Sequence, residues 1–175
     1  VISGNIECKE VVSDKTVQLL SETTTVNFDN LANDDEFVMF FVIKYDRNTQ
    51  FNNVTNIGYF EYNHSAPNQN VQIPFYNELI EEQMNNYKMV NSDSFSTNTL
   101  RVRKDVNNSF YIASNHYELQ LSTVSLGSLD SASLKLLNNQ YFKEIRYYRG
   151  AWNKTYYDNI QKELINNHSS YDRDS

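Results

Sequence analysis

Residues 36–45 read EFVMFFVIKY, apolar at seven consecutive positions from Phe37 to Ile43 and without period-2 alternation. A half-buried strand alternates apolar with polar residues, whereas a strand covered on both faces reads as a continuous run rich in Val, Ile and Phe. The run is bounded by D-N-L-A-N-D-D at 29–35 and by the polar loop that starts at Asp46, both dense in turn formers. It therefore predicts a central strand with both faces buried. Seven residues fall far short of the roughly 20 that a membrane-spanning helix needs, so no membrane insertion by this chain is expected.

Working towards the N-terminus, Thr16–Leu20 and Thr23–Phe28 are short β-branched runs broken by Ser21-Glu22, and predict two early strands. On the C-terminal side, I-G-Y-F-E-Y (57–62) and V-Q-I-P-F (71–75) are strands separated by a polar loop, with Pro74 marking an edge or a strand end. At Tyr76–Tyr87 the period changes. Tyr76, Leu79, Ile80, Met84 and Tyr87 share one helical face, with Glu78, Glu81 and Glu82 away from it. Leu100–Arg103 and Ser109–Ala113 flank K-D-V-N-N as a hairpin, and H-Y-E-L-Q-L-S-T-V (116–124) adds an alternating third strand.

Leu134, Leu137, Tyr141, Ile145 and Tyr148 have helical spacing, which favours a helix over 131–148; the alternative is a hairpin turning at Asn138-Asn139. Near the end, Thr155 followed by Asp158 resembles a capping box, and Tyr156 or Tyr157, Ile160 and Leu164 form the stripe of a last helix. The expected fold is mainly β, with α+β as the alternative: a two-layer antiparallel β-sandwich, one helix inserted after Phe75, and a helical C-terminal segment. Residues 1–167 make one domain, as befits a chain of 175 residues, and 168–175 a polar tail.

Composition narrows the function by exclusion. Fifteen Lys and Arg against 22 Asp and Glu give a net charge of −7, and R-V-R-K at 101–104 is the only dense basic group. Nucleic acid and anionic membrane surfaces are poor partners for such a chain. Gly4, Gly58, Gly127 and Gly150 cannot form a phosphate loop, and His64, His116 and His168 are isolated from one another and from Cys8. No zinc spacing or nucleophile motif results, so neither a metal nor a cofactor is expected. His116, at a strand entrance, is more simply a solvated side chain than a general base. The lone Cys8 leaves no internal disulfide and reads as a small side chain on a strand.

Asp34, Asp35, Glu81 and Glu82 are the carboxylates that a hydrolase would use, although turn formation and a wet helix face account for them more simply. Twenty-five Asn and 27 Ser plus Thr produce five glycosylation sequons, at Asn53, Asn63, Asn107, Asn153 and Asn167, where chance supplies about four.

What remains is surface recognition. Y-Y-R-G-A-W-N-K-T-Y-Y (147–157) concentrates Tyr147, Tyr148, Trp152, Tyr156 and Tyr157, a mix of rigid aromatic area and polar groups suited to contact. As the residue of a connecting loop after Gly150, Trp152 reads first as a plug seating the last helix and second as the centre of a contact. The expected function is a non-enzymatic protein-binding module or ectodomain acting through a sheet edge or this aromatic surface, in an extracytoplasmic location. The alternatives are a carbohydrate-binding module stacking sugars on Trp152, a hydrolase, and a cytosolic subunit of an assembly.

Overall fold

The computed structural model describes residues 2–5, 8–11, 16–19, 23–28, 35–46, 51–52, 57–65, 68–90, 95–114, 117–123, 129–137 and 141–170. Twelve strands and two helices occur among them: β1 (Ile2–Asn5), β2 (Cys8–Val11), β3 (Thr16–Leu19), β4 (Thr23–Phe28), β5 (Phe37–Asp46), β6 (Gly58–Ser65), β7 (Asn68–Pro74), α1 (Glu78–Val90), β8 (Phe95–Lys104), β9 (Ser109–Ser114), β10 (Tyr117–Thr123), β11 (Leu129–Leu137), β12 (Tyr141–Arg149) and α2 (Lys154–His168). They form a five-stranded sheet, β1-β4-β11-β6-β7, and a seven-stranded sheet, β10-β9-β8-β5-β12-β3-β2. The strand pairs are antiparallel, as in β5 with β8 and β11 with β6. Neither described helix is long and apolar enough to cross a membrane.

The run that predicted a central strand is β5, fourth of seven, and both its faces are covered. Phe37, Met39, Phe41 and Ile43 point inward and join Phe60, Tyr62 and Ile73 of the other sheet with Leu100, Val102, Phe110 and Ile112 of their own. Val38, Phe40 and Val42 point outward and meet α2. The absence of alternation thus records two buried faces.

The helix expected over 131–148 is replaced by two strands, and the alternative hairpin fails too: β11 pairs with β4 and β6, whereas β12 pairs with β5 and β3. The chain changes sheet between them. Two features hid the strand period. In β11 the buried set is Ala132, Leu134 and Leu136, interleaved with Ser133 and Lys135 and opened by the smallest of apolar side chains. In β12 a register shift between Phe142 and Glu144 moves the inward positions from even to odd numbers, so that Phe142 and Tyr147 both pack into the inter-sheet core. The early region likewise holds four strands, not two, and β3 and β4 belong to different sheets.

Close sheet packing depends on Gly58, which lies opposite Leu136 with φ +150; a Cβ there would sit 2.0 Å from the Lys135 carbonyl oxygen. Pro74 is on the edge strand β7, as expected. Because Phe75 N–H donates to Gly58 O at 2.8 Å, Pro74 opposite Tyr59 occupies a non-hydrogen-bonded pair where its missing N–H costs nothing.

On α1, Asn77 caps the first turn by accepting from Leu79 N at 2.8 Å, and Ile80 and Met84 are buried. Leu79, expected on the buried face, is 54% exposed, and Tyr76 precedes the helix. The Asn85 amide pins α1 to the backbone of Phe51, accepting at 3.1 Å and donating at 3.2 Å.

Candidate functional site

Helix α2 follows β12 through 150–153 and returns across the outer face of the seven-stranded sheet. Tyr157, Ile160 and Leu164 recur at spacings of three and four, so one stripe covers Val38, Phe40 and Val42. The N-cap is Asn153, whose side chain accepts from Tyr156 N at 3.0 Å; Thr155, expected as the cap, lies in the first helical turn. Ser169 closes the helix in the left-handed conformation (φ 49), its N–H donating to Ile165 O. Residues expected to begin the polar tail are packed: Ser170 is buried, accepting from the Thr99 hydroxyl at 3.0 Å, and His168 contacts Glu144 at 2.9 Å.

Four of the five aromatic candidates come together here. Trp152 stacks parallel on Tyr157, with ring centroids 5.3 Å apart and planes 2° apart. The Arg103 and Arg101 guanidinium carbons lie 4.4 and 5.0 Å from the indole centre. Tyr148 meets Phe40, Tyr157 and Tyr156 edge-on. Tyr157 is buried and Tyr156, beside it at 5.0 Å, is 53% exposed. Tyr147 is apart: it points through the sheet to the opposite side, 6.0 Å from the Phe37 ring. Burial raises the phenol pKa values of Tyr147 and Tyr157 above the ordinary value.

Beneath Trp152 lies a charged network. Arg101, fully buried, donates to Asp158 at 2.8 Å, Gln161 at 3.0 Å and Glu118 at 3.2 Å. Arg103 grips Glu118 with two bonds of 2.8 and 2.6 Å, and its guanidinium lies over Tyr111 at 4.1 Å. Lys154 reaches the other Asp158 oxygen at 2.5 Å. Burial alone would raise the Asp158 carboxyl, but hydrogen bonds from Lys154 and Arg101, with their charges, outweigh it and hold the pKa below the ordinary value. Glu144 behaves alike: burial raises it, while bonds from His168 and Arg146 bring it below normal.

This network was not foreseen. R-V-R at 101–103 read only as a short basic group, although strand alternation around the inward Val102 puts both arginines on one outer face, where burial demands anionic partners.

The remaining candidates are dispersed. Asp34, Asn53 and His116 fall outside the described residues; so do the side chains of Cys8 and His64, on β2 and β6. Asp35 pairs with Arg149, Glu81 accepts from the Tyr76 hydroxyl, and Glu82 is exposed. The Glu81 bond helps push the Tyr76 phenol up to about 12. No group of three or more His, Cys, Asp or Glu fit to hold a metal occurs among the described residues. Of the sequon asparagines, Asn107, Asn153 and Asn167 are exposed, and Asn63 is half-buried on β6.

No protein-family model matches the chain, and no curated protein matches it in sequence. Its fold is similar to that of the receptor-binding domain of botulinum neurotoxin D, with TM-score 0.51 and 9% identity over 94% of this chain and 48% of that one. The receptor-binding domain of the botulinum neurotoxin C/D mosaic serotype gives TM-score 0.50 and 9% identity, over 94% of this chain and 46% of that one. The chain thus spans about half the length of these structures. At such identity the likeness is one of fold: a largely antiparallel β protein of two sheets, closed by a C-terminal helix.

Proposed function

We propose that this chain is a non-catalytic binding module that recognises another protein outside the cytoplasm through the aromatic surface of Tyr148, Trp152, Tyr156 and Tyr157, with Tyr147 anchoring the strand beneath. The carrying observation is that Tyr156, 53% exposed, packs edge-on against the buried Tyr157, which is itself stacked on the half-buried Trp152. A rigid, exposed aromatic loses little conformational entropy on contact, the property that marks interface anchors. The fold neighbours, named as receptor-binding domains, support this class of function. The exposed edge β7 is the weaker surface, since it carries Pro74 with the polar, exposed Asn70 and Gln72.

A carbohydrate reading centred on Trp152 has less free indole to use, because that ring stacks on Tyr157 and lies against the guanidinium groups of Arg101 and Arg103. Labelled protein applied to a panel of cultured cells tests the proposal. Binding should be lost after protease treatment of the cells, survive glycosidase treatment, and fall with Tyr156→Ala at an unchanged melting temperature. Binding that survives protease but not glycosidase would replace the protein partner with a glycan.

A further inference from the structure

The β8–β9 turn, Asp105 to Asn108, carries an exposed apolar side chain on an unusually well-tied support. Asp105 accepts from Asn107 N and Ser109 N, both at 2.9 Å, and from the Tyr111 hydroxyl at 3.2 Å. Its own N–H donates to Ser109 O, and Asn108 takes the left-handed conformation (φ 60) that the reversal requires. At the tip Val106 is 51% exposed. A β-branched apolar residue is a poor choice for a solvated turn, where Gly, Asn, Asp and Ser are the usual occupants.

The turn is coupled to the aromatic surface. Tyr111, which holds Asp105, also lies under the Arg103 guanidinium, and Arg103 lies over Trp152, which stacks on Tyr157 beside Tyr156. Both supports leave the same end of the sandwich, because Lys104 and Arg149 each lie opposite Phe37 on the two neighbours of β5. Among the described residues here, Arg101, Arg103, Lys104, Arg149 and Lys154 are matched in number by Asp35, Glu36, Asp105, Glu118 and Asp158. Arg101, Arg103, Lys154 and Arg149 are engaged by Glu118, Asp158 and Asp35. An anionic glycan or lipid headgroup therefore finds these cations already engaged by carboxylates, whereas an uncharged apolar protein surface can meet Val106 and Tyr156 without displacing them.

We propose that the β8–β9 turn and the first turn of α2 form one docking surface for an uncharged, apolar patch on a protein partner, with Val106 and Tyr156 as its two anchors. The inference rests on the aromatic surface proposed above and names its partner's chemistry. A random-peptide display library selected on the immobilised protein tests it. The expected consensus is apolar or aromatic without net charge. Its synthetic peptide should bind about tenfold more weakly to Val106→Asp and to Tyr156→Ala, with both variants melting as the parent does. Affinity should be unchanged between about 0.05 and 0.5 M NaCl. An acidic or basic consensus, a salt-dependent affinity, or failure to select any peptide overturns the inference. Loss with Tyr156→Ala but not with Val106→Asp overturns it and leaves the aromatic-surface reading standing; loss with Val106→Asp alone overturns that reading.

Discussion

On its inner face β5 presents Phe37, Met39, Phe41 and Ile43 to a core built from both sheets, and on its outer face Val38, Phe40 and Val42 meet a single helix. The inner cluster is apolar and aromatic, with the rings of Phe75 and Phe142 each in contact with that of Phe41. The outer strip is narrow, and charge flanks it on both sides: Arg101 with Asp158 and Glu118 towards β8, and Glu144 with His168 and Arg146 towards β12. One strand thus separates a dry core, which fixes the fold, from a mixed interface, which fixes where α2 and its exposed aromatics stand. Hydrophobic burial scales with area and tolerates acid and salt, whereas the outer interface also depends on which groups are ionised.

The inner side should yield the largest loss of stability. Phe41→Ala empties a fully buried site among Phe75 and Phe142 and should cost about 3–5 kcal/mol in urea unfolding. Next comes the outer side. Arg101→Ala strips partners from Asp158, Gln161 and Glu118, but Lys154 and Arg103 remain to the two carboxylates. The expected cost is therefore about 2–3 kcal/mol, below that of breaking an isolated buried pair. A loss as large as that of Phe41→Ala would mean that the two faces are not separable.

Acid separates them further. Asp158 and Glu144 have pKa values depressed in the folded protein, so the stability they contribute is complete above their ordinary values. It is lost as the pH falls through about 4 and below, down to the folded values. Melting temperature followed from neutral to acid pH should drop over that window, and Asp158→Asn with Glu144→Gln should flatten the drop. Phe41→Ala should lower the whole curve without changing its shape, because the inner cluster contains no carboxylate.

The same division governs what was legible in the sequence. β5 declared itself because burial on two faces erases alternation, and the β8–β9 hairpin was marked by K-D-V-N-N between apolar runs. β11 and β12 did not, because a bulge reverses the inward parity within β12 and an alanine opens the buried set of β11. The aromatic site was found as a cluster but not as a geometry. Tyr147 and Tyr148 are consecutive strand residues and must face opposite ways, so only one of them can join Trp152. Its polar half was missed because ion pairs between residues as far apart as 101 and 158 leave no local spacing to read.

The smallest expected effect bears on how the outer helix begins. Asn153 accepts from Tyr156 N, whereas Thr155 is exposed within the first turn. Asn153→Ala removes the acceptor for one of the four helix N–H groups that lack intrahelical partners and should cost about 1 kcal/mol. Thr155→Ala exchanges a β-branched residue for the best helix former and should be neutral or stabilising by a few tenths, roughly, of a kcal/mol. The two substitutions therefore differ in sign, which urea unfolding resolves even where their absolute sizes are small. If Thr155→Ala proves the costlier, the helix starts two residues later than Lys154. Tyr156 would then be the first helical residue, its N–H no longer held by Asn153, and the exposed aromatic would lose the cap that fixes its place beside Tyr157.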